Sequence, residues 1–132
     1  MLNLEIVTPE KKALSETVDA VTIPTASGEV GILANHAPLI SSLKPGVLSY
    51  TKAGATEKMV IAGGFIEVSA DNISILADIA EKADEINVEA AKTERDAAEK
   101  ELNAWKGSEA EFETEKERLE KAQARLQLAA GR

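Results

Sequence analysis

Asp84-Glu85-Ile86-Asn87-Val88-Glu89-Ala90-Ala91 is the stretch on which the reading of the fold turns, because the chain changes character across it. On its N-terminal side, turn signals recur at Ser27-Gly28, Ala34-Asn35, Pro45-Gly46, Ala53-Gly54, Gly63-Gly64 and Asp71-Asn72. The spacing of roughly eight residues is that of short strands in a sandwich or barrel. Between the turns lie β-branched runs, Val18 to Ile23, Met59 to Ile61, Phe65 to Val68 and Ile73 to Leu76. In the first of these, Val18, Ala20 and Thr22 are expected on one face, with Asp19, Val21 and Ile23 on the other. A single antiparallel β-sandwich over residues 1–86 accounts for the pattern.

On the C-terminal side there is no proline, and the only glycines are Gly107 and Gly131. Ala, Glu, Lys, Leu and Arg dominate, all good helix formers. Asn87 suits the N-cap of a first helix, with Glu89 in its first turn. Gly107 is expected to close that helix in a left-handed conformation. Ser108-Glu109-Ala110-Glu111 fits a capping box for a second helix. So short a break folds the two back as an antiparallel hairpin over residues 87–132. The predicted class is therefore a two-part α+β chain.

The hairpin seam reads Val88, Ala91, Arg95, Ala98, Leu102 and Trp105 against Phe112, Glu115, Leu119, Ala122, Leu126 and Ala129. Paired outward from Gly107, Trp105 meets Phe112, and nearly every later pair contains an alanine or a charge. Such a seam is narrow and contributes modest stability. Along the second helix Glu109, Glu111, Glu113 and Glu115 precede Lys116, Arg118, Lys121 and Arg125. That order suits the helix dipole and leaves a basic end that can meet an acidic partner.

Composition removes several classes of function. The net charge of −8 disfavours nucleic acid, whose binding depends on cations that neutralise phosphate. There is no cysteine, hence no disulfide framework or thiol nucleophile. No apolar run approaches the ~20 residues that span a bilayer, and Met1-Leu2-Asn3-Leu4-Glu5 lacks the basic start of a secretory signal. Work at a membrane would then depend on other proteins to hold the chain there. Phosphate-binding glycine loops and a nucleophile elbow are missing. His36 is the one histidine, which makes a His-based metal site implausible and leaves a His36 triad as a formal option. Asp84-Glu85 reads as a solvated linker or helix start. The residues alone describe a binding or coupling module with no active site, cofactor or metal.

Two blocks carry a resemblance. Gly28-Glu29-Val30-Gly31-Ile32-Leu33-Ala34-Asn35-His36-Ala37-Pro38-Leu39 is followed by Leu43-Lys44-Pro45-Gly46-Val47-Leu48. Gly63-Gly64-Phe65-Ile66-Glu67-Val68 is followed by Ile73-Ser74-Ile75-Leu76-Ala77-Asp78. With Leu4-Glu5-Ile6-Val7-Thr8-Pro9 and Val21-Thr22-Ile23-Pro24, the chain resembles the epsilon subunits of F-type ATP synthases over essentially its full length. The resemblance implies a sandwich of about ten strands bound to the gamma shaft and resting on the c-ring, with catalysis on other subunits. It implies proton-driven ATP synthesis and a peripheral place on the cytoplasmic face of the energy-transducing membrane. It implies that the turn at Glu29-Val30-Gly31 faces the c-ring loops, and that Thr8 and His36 lie on the gamma-facing side. The hairpin becomes a movable arm whose Lys116, Arg118, Lys121 and Arg125 dock on an acidic region of the beta subunit and oppose hydrolysis. Some bacterial members bind ATP through Ile/Leu-Asp-x-x-Arg-Ala. Here Asn87 and Ala90 stand at the Asp and Arg positions, so ATP binding is not expected. The rival readings are a generic sandwich-and-hairpin adaptor and a small hydrolase using His36.

Overall fold

The computed structural model describes residues 1–130; Gly131 and Arg132, the end of the expected hairpin unit, lie outside the described residues. Ten strands come first: β1 (Leu2–Val7), β2 (Lys12–Val18), β3 (Ala20–Thr25), β4 (Gly28–Leu33), β5 (Leu39–Ser42), β6 (Gly46–Lys52), β7 (Ala55–Ala62), β8 (Phe65–Ser69), β9 (Asn72–Leu76) and β10 (Ile79–Lys82). A single 3-10 turn over Ala83–Glu85 leads to α1 (Val88–Asn103) and α2 (Glu109–Ala130). The change of character at Asp84–Asn87 is thus the junction between strands and helices.

The strands form two five-stranded sheets, ordered β2-β1-β9-β8-β5 and β10-β7-β6-β3-β4. Neighbours are antiparallel except β1 and β9, which run parallel from Asn3 opposite Asn72 to Val7 opposite Leu76. Only a long connection can supply a parallel partner, and here nearly the whole sandwich intervenes. Inward residues alternate along each strand, as in Leu2, Leu4 and Ile6 of β1 and Ile73 and Ile75 of β9. The core is aliphatic apart from Tyr50 and Met59.

The expected alternation from Val18 to Ile23 does not run through. Asp19 is a bend between β2 and β3, where its amide donates to the Thr51 carbonyl at 2.8 Å. The chain changes sheets there, so Val18 from one sheet and Val21 and Ile23 from the other all reach the same core. The two-residue turns fall at Ala26-Ser27, Ala34-Asn35, Ala53-Gly54 and Ala70-Asp71. Each overlaps a sequence signal or lies within one residue of it.

β7 is exposed over its first half and fully buried from Met59 to Ala62. Such burial on both faces requires a cover, and α2 supplies it by packing on β6 and β7. Val60, Ile86, Ala124 and Leu128 form a second apolar cluster there, flanked by Val47, Ala83 and Ala129. α1 lies against α2, with Ala91 and Ala98 buried.

Candidate functional site

Three large apolar side chains meet solvent on the outer face of the first sheet. Strand register sets Ser42, Phe65, Leu76 and Val7 in one cross-strand row. The adjacent row is Ile40, Glu67, Ser74, Glu5 and Ser15. Phe65, Leu76 and Ile40 are 57%, 58% and 73% exposed. β8 and β9 are apolar at nearly every position near this end, because Ile66 and Ile75 fill the core while Phe65 and Leu76 point outward. Strand sequence that is apolar on both parities was the available signal for this surface.

Glu29, Val30 and Gly31 were expected in a turn. They lie in β4, an edge strand, and the turn precedes them at Ala26-Ser27. Thr25 builds that turn: its hydroxyl donates to the Gly28 carbonyl at 2.7 Å and accepts from the Ser27 amide at 3.2 Å. Gly28, with φ +113, completes it. Glu29 and Gly31 are exposed, while Val30 is half-buried against the core. Thr8 closes the β1–β2 connection, its amide donating to the Lys11 carbonyl at 2.9 Å.

The β3–β4 turn and Thr8 share one end of the sandwich. Ala26 donates to Ser42, Ser42 lies opposite Phe65, Phe65 opposite Leu76, and Leu76 beside Val7, the neighbour of Thr8. His36 is at the other end. Its amide donates to the Leu33 carbonyl at the far end of β4, and the neighbouring Asn35 amide donates to Asp71 Oδ1, just before β9. The His36 ring Nδ1 lies 2.7 Å from the carbonyl oxygen of Ala37. A cleft of about 620 Å³ lies elsewhere, lined by side chains including Glu16, Tyr50, Lys52, Glu57, Lys58 and Lys82. His36 is not among its lining residues. Among the described residues no group of His, Cys, Asp or Glu could hold a metal.

The basic run of α2 divides into two kinds. Arg118 joins the helices: its Nε donates to Glu94 Oε2 of α1 at 2.5 Å and its Nη1 to Glu115 Oε1 at 2.7 Å. The bond from Arg118 holds the Glu94 carboxyl below its ordinary value. Arg125 fastens α2 to the sandwich through a two-pronged pair with Glu81 of β10, at 2.7 and 3.2 Å. Lys116 is exposed and Lys121 half-buried, and neither makes a salt bridge among the described residues. Sequence reasoning missed Glu81 and Glu94 as partners, and also Ala124 and Leu128, whose four-residue spacing marks a second apolar stripe on α2.

The helix ends are local chemistry. Asn87 caps α1, its side-chain oxygen accepting from the Ala90 amide at 3.0 Å. Ala90 presents no cation. Ser108 Oγ accepts from the Glu111 amide at 3.2 Å, the first of the two bonds of the expected box. α1 ends at Asn103, earlier than expected, and Gly107 lies in the connecting loop without a positive φ. The glycine leaves space for a ring: a Cβ there would lie 2.8 Å from Trp105 Cζ2, so the indole would have to shift to admit one. Trp105 donates from Nε1 to the Ser108 carbonyl and meets Phe112 edge to face, with ring centroids 5.7 Å apart.

Comparison with known proteins matches residues 1–83 to the family described as ATP synthase, Delta/Epsilon chain, beta-sandwich domain. An ATP synthase epsilon chain from Desulforamulus reducens is 47% identical, the match covering 96% of this chain and 95% of that one. One from a Geobacter species is 44% identical over 97% and 93% of the two chains. A chain in the OSCP/F1/c-ring assembly of Euglena gracilis mitochondrial ATP synthase superposes with a TM-score of 0.81 at 28% identity. That match spans 98% of this chain and 81% of the other. Identity at this level over nearly the whole length, on a ten-stranded sandwich followed by two helices, shows that the chain belongs to the ATP synthase delta/epsilon chain family.

Proposed function

We propose that this chain is the epsilon rotor subunit of a proton-driven ATP synthase. It couples the gamma shaft to the c-ring and has no catalytic role, the nucleotide sites lying on other subunits. The observation that carries this reading is the near full-length likeness to a chain solved within an F1/c-ring assembly. The chain sits peripherally on the cytoplasmic face of the energy-transducing membrane, held there by the complex. No helix among the described residues is long and apolar enough to cross a membrane, which fits attachment through partners. The end of the sandwich that carries Glu29, Val30 and Gly31 faces the c-ring loops, and Thr8 and His36 contact the shaft from opposite ends of the sandwich. No cofactor is assigned, because the Asn87 oxygen already accepts the Ala90 amide and Ala90 cannot bind phosphate.

The hairpin is the regulatory part in this reading. Its cations Lys116, Arg118, Lys121 and Arg125 dock on an acidic region of the beta subunit when the arm leaves the sandwich, and the docked arm opposes ATP hydrolysis. The test of the coupling role uses the assembled enzyme carrying Glu29→Cys. Cross-linking to the c-ring is expected. Cross-linking confined to the alpha or beta subunits would mean that the sandwich is oriented the other way and would overturn the proposal.

A further inference from the structure

A carboxylate stands among apolar side chains on the outer face of the first sheet. Glu67 lies opposite Ile40 on one side and Ser74 on the other. Two residues back along β8 comes Phe65, itself opposite Leu76. Directly opposed side chains in a sheet are about 5 Å apart and diagonal ones about 7–8 Å, so Ile40, Phe65 and Leu76 all lie within reach of the Glu67 side chain. Of the five large apolar residues exposed among the described residues, these three gather here. Glu5, in the same row, is engaged by Lys12 at 3.3 Å. Glu67 takes part in no salt bridge among the described residues.

The face therefore makes two demands on whatever covers it. Its apolar side chains gain by leaving water. Its carboxylate loses solvation when covered and must be given a cation in exchange. We propose that Glu67 is the specificity determinant of this face. It accepts a salt bridge from a lysine or arginine that the shaft subunit presents within an apolar patch, while Ile40, Phe65 and Leu76 supply most of the contact area. The partner named here rests on the functional reading above; the chemistry demanded of it rests on the face itself. The same carboxylate rejects other occupants. A second copy of this chain docked face to face would bring two such carboxylates into one interface, and an anionic lipid surface would meet both this carboxylate and a net charge of −8.

The test is titration calorimetry of the full chain against the gamma subunit of the same enzyme. Glu67→Lys is expected to weaken binding about 30-fold or more, with Glu67→Gln intermediate. Leu76→Asp should weaken it at least as much. A reversing Lys→Glu or Arg→Glu substitution on the shaft subunit should rescue Glu67→Lys. Glu67 is exposed, so its variants should unfold at the wild-type temperature, which separates binding from folding. If Glu67→Lys binds like wild type while Leu76→Asp does not, the face is correct and the determinant is wrong, and the proposal falls. Failure of the wild-type chain to bind the shaft would overturn the partner reading instead. Concentration-dependent dimerisation of the free chain that Leu76→Asp abolishes would give the face to a second copy and overturn the proposal too.

Discussion

At Gly64 the backbone crosses from the second sheet to the first with φ +85 and no room beside it. A Cβ built there would lie 1.7 Å from the Leu76 carbonyl oxygen. The Gly64 carbonyl also accepts the Leu43 amide at 3.0 Å, so the segment cannot move aside without losing that bond. Gly64→Ala should therefore cost about 2–4 kcal/mol, combining left-handed strain with a steric clash. Gly54 has φ +82 but open space around it, so Gly54→Ala should show the strain alone, about 1–2 kcal/mol. Urea unfolding of the two variants checks this, and equal losses would refute the steric part. Single-residue roles were legible where the chemistry is local. Asn87 and Ser108 bond amides three residues away, and the Gly63-Gly64 turn signal falls at the bend between β7 and β8. Gly107 was misread, because a glycine after a helix serves equally as a left-handed cap or as room for a ring. Only the position of Trp105 distinguishes the two.

The hairpin has two interfaces, and one was legible. The seam between the helices follows the 3-4 spacing, with Ala91, Ala98 and Ala122 buried and Trp105 against Phe112 at the tip. The interface between α2 and the sandwich uses Ala124, Leu128 and Arg125, which lie off that stripe. Alanine contributes little burial, so the two arginine pairs add direction to an arm held chiefly by Ile86, Leu128 and the cover over Val60. They also change how docking on the beta subunit is tested. Arg118 and Arg125 already serve the folded hairpin, so reversing them disturbs two states at once. Lys116 and Lys121 make no salt bridge among the described residues, so reversing them disturbs the folded hairpin less than reversing the arginines. Lys116→Glu with Lys121→Glu should raise the ATP hydrolysis rate of the assembled enzyme severalfold, since each lost charge pair weakens docking by roughly 1 kcal/mol. An unchanged rate would remove the regulatory role and leave the hairpin as a brace.

For the whole molecule, the principal core is made without the helices. Every member of the main apolar cluster lies between Leu2 and Ala80. A chain truncated after Glu85 should therefore fold and unfold cooperatively in urea. It should be less stable than the full chain by roughly 2–3 kcal/mol, because Val60 loses its cover. A gradual, non-cooperative transition would refute the independence of residues 1–86. Neighbours along the chain suffice to specify the strand-to-helix junction, most of the turns, the helix N-caps and the first seam. Backbone preference and apolar period act over a few residues, and each leaves a local mark. Contacts between distant segments set which strands pair, that β1 runs parallel to β9, that Asp19 is a corner between sheets, and which carboxylates hold Arg118 and Arg125. They also decide that Val60 is covered while Phe65 and Leu76 are bare. All of these are outward-facing apolar residues on apolar strands, and their burial depends on what distant part of the chain packs over them. That choice is made by long-range packing, which local period cannot record.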